Sequence, residues 1–218
     1  NRGSYMFRKN WNYDPSKTKE DKETILSHMY DVLECIQEQK RLGKIRHFGL
    51  SNETAWGTSQ WLRTSEEFNL PRTVTLQNEY SLLCRFYDLD LAELSVQEKI
   101  LLLAWSPLAA GLLSGKYRTE HSPEGSRRAV SSPNLGNRLS KNMWSAVECY
   151  REIANKFNID MVQMAIAWCL TRPFMGSVIV GATNLNQLRN ILKAADLNLS
   201  GDIMKQIKTV YMKYPVPF

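Results

Sequence analysis

The sequence has no apolar run approaching the ~18 residues of a membrane helix, and residues 1–20 contain no continuous apolar segment. A transmembrane helix needs about 20 predominantly apolar residues, and a secretory signal needs an apolar segment near its start. The sequence therefore predicts a protein without a membrane span that is not secreted. We expect a cytoplasmic location.

Cysteine is scarce and scattered. Cys35, Cys84, Cys149 and Cys169 include no pair at CxxC spacing, so we expect reduced thiols and no metal site. The excess of positive charge is also small: 28 basic and 22 acidic residues give a net charge of +6, and it is spread along the chain. That distribution does not favour a nucleic-acid surface, and we expect no nucleic-acid partner.

No low-complexity linker divides the 218 residues, which are 43% hydrophobic, so we expect one domain over residues 1–218. Residues 1–17 and 106–140 show no helical or strand periodicity and are predicted loops. The remaining segments alternate between strands and helices. Predicted strands cover 44–51, 73–78, 100–105 and 177–182, and predicted helices cover 21–42, 54–68, 88–98, 141–157, 160–171, 184–195 and 201–213.

This alternation predicts an α/β protein with a parallel sheet. The unbroken apolar run "ILLLAW" at 100–105 suggests a strand buried on both faces. Four strands with their helices amount to half of a (β/α)8 TIM barrel, whose two strand edges would need partners. Either a second copy or a segment upstream of residue 1 could supply them. A doubly wound sheet is the alternative, but no GxGxxG motif follows any strand.

Polar or aromatic residues stand at the ends of all four strands, where parallel α/β proteins bind ligands. The four ends are Ser51-Asn52, Gln77-Asn78, Trp105-Ser106 and Gly181-Ala182-Thr183. Amides and hydroxyls can hydrogen-bond a carboxamide, and an indole can stack on a flat heterocycle, which together suit a nicotinamide ring. Each residue also has an ordinary structural explanation: a turn or helix cap, a surface amide, or a core tryptophan.

The segment "SPLAAGLLSGK" after the third strand favours close approach of an anion. Its glycines and small residues permit unusual backbone conformations, so N–H groups of Ala109 and Ala110 could face a pyrophosphate beside Lys116. Arg127 and Arg128 follow in the same loop and could bind phosphate, or they could be a solvated pair. Thr183 precedes a predicted helix, whose N-terminus favours a phosphate.

Five stretches resemble the aldo-keto reductases, especially the branch containing Tas-type bacterial proteins and the β subunits of voltage-gated potassium channels. They are "GKIRHFGLSNE", "TLQNEYSLL", "LLAWSPLAAGLLSGKY", "EGSRR" and "VIVGATNLNQL", and they occur in family order. The resemblance implies a (β/α)8 barrel, of which this chain covers about the last four strands, and NADP(H) bound in extended form.

The resemblance also assigns roles by motif. It implies a carboxamide site at Ser51, Asn52 and Gln77, with Trp105 stacked on the ring. It implies pyrophosphate contacts along the following loop and adenosine contacts beyond it, with Asn190-Ile191 replacing a Glu-Asn pair of the family. The residues of these two groups are Ser106, Pro107, Leu108, Ala109, Gly111, Ser114 and Lys116, then Arg127, Gly181, Thr183, Gln187 and Asn190.

The family's catalytic Asp, Tyr, Lys and His are expected upstream of residue 1, so we assign no catalytic residue in the chain. Tyr5, Trp11 and Tyr13 are expected to form part of a substrate wall. The resemblance implies reduction of an aldehyde or ketone to an alcohol by hydride transfer, with a small-molecule carbonyl substrate. Separately, the unpaired strand edges leave a homo-oligomer open. Two alternatives stay open: a nucleotide-sensing regulatory subunit like the channel β subunits, and a catalytically dead truncated form.

Overall fold

The computed structural model describes residues 20–117 and 122–218. Strands and helices alternate along the chain, and the parallel strands follow one another in the sheet in the order β1-β2-β3-β4. The chain thus has the α/β fold that the sequence predicts. The strands are β1 Gly49–Ser51, β2 Thr75–Glu79, β3 Leu101–Trp105 and β4 Met175–Val178; the helices are α1 Lys22–Arg41, α2 Ala55–Glu67, α3 Leu91–Glu98, α4 Arg127–Val130, α5 Lys141–Lys156, α6 Met161–Leu170, α7 Leu185–Leu192 and α8 Gly201–Lys213.

The chain forms two compact units. The first contains the described residues up to 78 together with 88–103, and the second contains 79–87 and the described residues from 104 onward. The expectation of a single domain stays a prediction.

The first unit is built around α1 and α2. Asp21 caps α1 by accepting a hydrogen bond from the Thr24 N–H at 2.8 Å, and Gly43, with φ +70°, follows its C-terminus. Ile25, Met29 and Leu33 recur every four residues on one face of α1 and pack with Trp61 of α2. Burying these apolar side chains places both helices against one core.

The second unit has an aromatic core. Tyr80 stacks on Trp168 with ring centroids 5.2 Å apart, and Phe174 contacts Tyr80 edge-on at 5.7 Å. Helix α6, which carries Trp168, is buried along most of its length and begins at the Asp160 cap, as predicted from the sequence. A second cluster joins Ile166, Ile191 and Ala194, with the partly buried Leu108 packed against it.

Four expectations about local structure are corrected. Strand β3 buries one face only, because Leu102 and Ala104 are fully buried while Leu101 is 47% exposed; alternate residues of a strand point to opposite faces. Of the strand expected at 44–51, only the last three residues form a β-strand. Strand β4 begins at residue 175, two residues before the expected 177. The expected loop at 106–140 contains a 3₁₀ segment, Ala109–Ser114, and the short helix α4.

Candidate functional site

In the first unit, the ends of β1 and β2 bring three of the expected site residues together. Ser51 pairs with Gln77 in the parallel register, and the Asn52 N–H donates to the Gln77 carbonyl at 2.9 Å. The Asn52 side chain also donates to the Ser51 hydroxyl at 3.3 Å. Asn52 has a positive φ of 52°, a conformation that asparagine tolerates better than most residues. One hydroxyl and two amides thus end adjacent strands side by side.

A residue that the sequence did not identify as functional holds this arrangement. Asn78 is 1% exposed, donates to the Glu53 carbonyl at 2.9 Å and accepts from the Glu53 N–H at 3.2 Å. Its side chain therefore clamps the backbone immediately after Asn52. The available signal was strand alternation: directly after the exposed Gln77, the next side chain must point to the opposite, buried face.

In the second unit, the loop after Trp105 takes its shape from left-handed backbone. Positive φ values occur at Ser106, Ala109, Ala110 and Gly111 (53°, 48°, 59° and 98°). The Ala109 N–H donates to the Ser106 carbonyl at 2.8 Å, and the Gly111 N–H donates to the Leu108 carbonyl at 2.9 Å. These two N–H groups are engaged inside the loop, which differs from the expectation for Ala109 that small residues would turn their N–H groups toward an anion.

The same loop is closely packed. A Cβ at Gly111 would stand 3.2 Å from Lys116 Cε and 3.2 Å from Tyr117 Cε2. The Ser114 hydroxyl donates to the Gly111 carbonyl at 2.6 Å, and Lys116 Nζ lies 5.1 Å from the Tyr117 ring centroid. Pro107 and Ala109 are buried, whereas the Lys116 side chain is exposed. Close approach and a φ of 98° therefore both favour glycine at position 111.

The two arginines after this loop take different positions. Arg127 begins α4 and is exposed, while the Arg128 guanidinium lies 5.5 Å from the Trp144 ring centroid. The Arg128 N–H donates to the Tyr117 hydroxyl at 3.4 Å. This hydrogen bond connects the start of α4 to the segment that follows Trp105. Of the pair, Arg127 is the one whose side chain is presented to solvent.

After β4, the side chains of Thr183 and Gln187, both predicted to bind the cofactor, contact each other. The Thr183 N–H and hydroxyl both donate to Gln187 Oε1 at 3.0 Å, and Asn184 caps α7 by accepting from the Gln187 N–H at 2.9 Å. Gly181 and these side chains are exposed. The structure therefore presents a hydroxyl and an amide at the start of α7.

Asn190 has other partners. It accepts from Gln163 Nε2 at 2.6 Å and donates to Asp160 Oδ1 at 3.1 Å, so its amide is engaged at the start of α6. The expected substrate-wall residues Tyr5, Trp11 and Tyr13 lie outside the described residues.

The aldo/keto reductase family model matches residues 11–212. The chain belongs to the aldo/keto reductase family. This confirms the resemblance inferred from the five motifs and shows an oxidoreductase family.

Aldo/keto reductase relatives cover most of the chain. It is 39% identical over 189 residues to "Protein tas" of Escherichia coli (strain K12), covering 87% of this chain and 54% of that protein. It is 32% identical to an "Aldo-keto reductase" of Babesia bovis, covering 86% of this chain and 68% of that protein. It is 32% identical to a "Probable voltage-gated potassium channel subunit beta" of Arabidopsis thaliana, covering 73% and 53%. The chain thus spans about half the length of Protein tas.

The part of this aldo/keto reductase chain that the structure describes has neither a metal-binding cluster nor a membrane-spanning helix. Within residues 20–117 and 122–218, no group of three or more His, Cys, Asp or Glu side chains is arranged to hold a metal ion. Over the same described ranges, no helix combines the length and the apolar character needed to cross a membrane.

Proposed function

We propose that this chain provides the cofactor-binding part of an NADP(H)-dependent oxidoreductase that reduces aldehydes or ketones to alcohols. The observation that carries the proposal is the arrangement of Ser51, Asn52 and Gln77 at the adjoining ends of β1 and β2, in a chain of the aldo/keto reductase family. We further propose that the strands belong to a (β/α)8 barrel and that the protein is cytoplasmic.

The donor set of the first unit fits a nicotinamide carboxamide. That group has one acceptor oxygen and one NH2 donor, so it needs both kinds of partner. Gln77 and Asn52 each carry a donor and an acceptor on the side chain, and Ser51 adds a hydroxyl. The bond between the Asn52 N–H and the Gln77 carbonyl fixes the two backbones relative to each other. These three residues would hold the carboxamide and orient the ring.

The second unit, taken by itself, carries the other residues that the family resemblance assigns to the cofactor. Trp105 would stack on the ring, the loop from Ser106 to Lys116 would follow the pyrophosphate, and Arg127 would approach the adenosine end. Thr183 and Gln187 already share a hydrogen-bonded site at the start of α7, where backbone N–H groups and the helix dipole favour a 2′-phosphate. This fit supports a phosphorylated dinucleotide.

When bound, NADPH supplies the hydride for carbonyl reduction. In this proposal the residues of the chain do not transfer protons; they bind and orient the cofactor, and stacking on Trp105 excludes water from one side of the ring. The catalytic Asp, Tyr, Lys and His would come from another segment of the full-length protein, meaning the polypeptide that carries this chain. Tyr5, Trp11 and Tyr13 would contribute to the substrate wall.

A binding and turnover experiment on the full-length protein tests the proposal. We expect saturable NADPH binding, weaker NADH binding, and NADPH oxidation at 340 nm with 4-nitrobenzaldehyde. Trp105→Ala should weaken NADPH affinity about tenfold, because the stacking surface is lost. Trp56→Ala is the matched control, since Trp56 is 42% exposed on α2, and its affinity should stay at the wild-type value. Absence of NADPH binding in the wild type would refute the proposal.

The names of several relatives favour a second candidate. Proteins called voltage-gated potassium channel subunit beta match 73% of this chain at 32% identity in Arabidopsis thaliana and 33% in rice. A regulatory subunit of this kind would sense the nucleotide without needing turnover. Tight NADPH binding with no oxidation across a panel of aldehydes would favour that candidate over the enzyme.

A further inference from the structure

A buried ion pair lies within the second unit, outside the residues assigned to the cofactor. The Arg138 and Glu79 side chains are each 2% exposed. Arg138 Nε donates to Glu79 Oε1 at 3.0 Å, a second guanidinium N–H donates to the same oxygen, and the third nitrogen donates to the Leu135 carbonyl at 2.5 Å. Every nitrogen of the guanidinium therefore has a partner.

Such a pair is costly to build and specifies geometry. Removing two charges from water is unfavourable, and the free energy is recovered only when the hydrogen bonds between them are well placed. The exposed pairs of this chain contribute little by comparison; Arg63 and Glu67 stand 3.9 Å apart with both side chains more than half exposed. The buried pair thus fixes Arg138 at one position relative to Glu79.

The turn just before Arg138 has a strained backbone. Leu135, Gly136 and Asn137 all have positive φ, at 46°, 69° and 61°. A left-handed conformation is unfavourable at leucine, so it persists only where surrounding contacts impose it. Leu135 is 1% exposed, and its carbonyl accepts from Arg138. The ion pair therefore stabilises this turn.

Hydrogen bonds lead from the turn back to Arg127. The Arg127 carbonyl accepts from the Ser132 N–H at 2.8 Å, and the Ser132 carbonyl accepts from the Leu135 N–H at 2.9 Å. The Leu135 carbonyl then accepts from the Arg138 guanidinium. Three consecutive bonds thus connect the buried ion pair to the backbone of Arg127, whose exposed side chain is assigned to the adenosine end of the cofactor under the proposed function.

The last residues of the chain pack beside the ion pair. The Phe218 ring centroid lies 6.0 Å from the Arg138 guanidinium carbon, and the Ser140 hydroxyl donates to the Pro217 carbonyl. An aromatic face beside a guanidinium is attractive and excludes water. Pro217 is buried as well. The segment 217–218 therefore packs beside the ion pair.

We propose that Arg138 and Glu79 are positioning residues that set the place of Arg127, and through it the affinity for the adenosine phosphate end of NADP(H). This inference rests on the proposed function. By this inference, the end of the 106–140 loop determines cofactor affinity, although it is remote in sequence from the strand ends.

The test is a double-mutant cycle on the full-length protein, with the NADPH Kd measured by fluorescence titration. Glu79→Gln keeps the shape of the side chain and removes its charge, and we expect NADPH affinity to fall about tenfold. Arg127→Ala should weaken binding by a similar factor. If the ion pair acts through Arg127, the double variant should bind about as weakly as Arg127→Ala alone. For Glu79→Gln alone, the kcat at saturating NADPH should change less than about twofold, because the change acts on cofactor affinity.

Two controls separate positioning from stability. Ile207→Ala removes a buried side chain of α8 and should lower Tm without changing the NADPH Kd of the folded protein. A double variant, Glu79→Met with Arg138→Met, replaces the ion pair by apolar groups. Its Tm should return toward the wild-type value, while its NADPH binding should remain as weak as that of Glu79→Gln. Arg138→Lys serves if Glu79→Gln does not fold, because it retains the charge and loses the fork geometry.

The outcomes are distinct. No NADPH binding by the wild type overturns the proposed function itself. Wild-type binding with an unchanged Kd in folded Glu79→Gln and Arg138→Lys overturns the positioning role alone. Strictly additive effects of Glu79→Gln and Arg127→Ala also overturn it, since the pair would then act independently of Arg127.

Discussion

The strand ends of the first unit and the loop of the second unit are ordered by different means. At the ends of β1 and β2 the side chains supply the order: Asn78 clamps the backbone of Glu53, and Asn52 bonds to Ser51. After Trp105 the backbone supplies it, through left-handed residues whose N–H groups bond within the loop. The two regions therefore depend on different kinds of residue.

This difference predicts different responses to mutation. Side-chain clamps fail when a hydrogen-bonding atom is removed, because buried backbone groups then lose partners. Left-handed loops fail when a Cβ is added, because the conformation itself becomes unfavourable. Substitutions of each kind therefore test the contrast.

The largest effect is expected at Asn78 in the first unit. Asn78→Leu keeps a similar volume but removes both hydrogen bonds to the Glu53 backbone, which is buried. We expect the free energy of unfolding to fall by about 3 kcal/mol. Urea denaturation of the full-length protein measures it. The neighbouring Gln77→Leu is the matched control: it should change the free energy of unfolding by less than about 0.5 kcal/mol while weakening NADPH binding.

A smaller effect is expected at Gly111 in the second unit. Gly111→Ala adds a Cβ at φ +98°, within 3.2 Å of the Tyr117 ring, and should cost about 2 kcal/mol. Gly125→Ala is the control, because Gly125 has φ +69° and no atom within 4 Å of its would-be Cβ; we expect about 1 kcal/mol there. Equal losses in the two variants would contradict the importance of close packing in the loop.

The smallest loss of stability is expected at Tyr150. This residue makes one buried side-chain hydrogen bond in the second unit, so it can be compared with Asn78, which makes two. Its buried hydroxyl donates to the Leu82 carbonyl at 3.1 Å, and Tyr150→Phe should cost about 1 kcal/mol at neutral pH. Asn78 makes two such bonds and should cost more. If Asn78→Leu and Tyr150→Phe lowered the free energy of unfolding by similar amounts, the number of hydrogen bonds lost would not explain the effect.

Tyr150 also predicts a pH dependence. Burial raises the pKa of the Tyr150 hydroxyl well above its ordinary value. The folded state then keeps the proton while the unfolded state loses it, so the associated stability is present below about pH 10 and is lost as the pH rises through the folded pKa. The stability gap between wild type and Tyr150→Phe should narrow above about pH 10. A constant gap between about pH 7 and pH 11 would contradict it.

The sequence predicted the elements well where periodicity and caps agreed. The helix expected at 201–213 is α8 Gly201–Lys213, and Asp160 caps α6 as expected. It failed at strand boundaries, because short strands carry few residues of pattern, and at β3, because a continuous apolar run does not reveal that one face is exposed. The sequence placed Gln77 and Asn78 together at a strand end, but it did not predict that Asn78 is buried and bonds to the backbone of Glu53.

Residue types at the strand ends, the five motifs and hence the family could be determined from the sequence alone, because each depends on local order along the chain. Only the tertiary structure decided the partners of Asn78, Asn190 and Arg138. Glu79 and Arg138 are 59 residues apart in the chain. Neither is distinguished from an ordinary surface charge until folding buries both and makes their geometry matter, because a charge acquires its strongest interactions only after it leaves water.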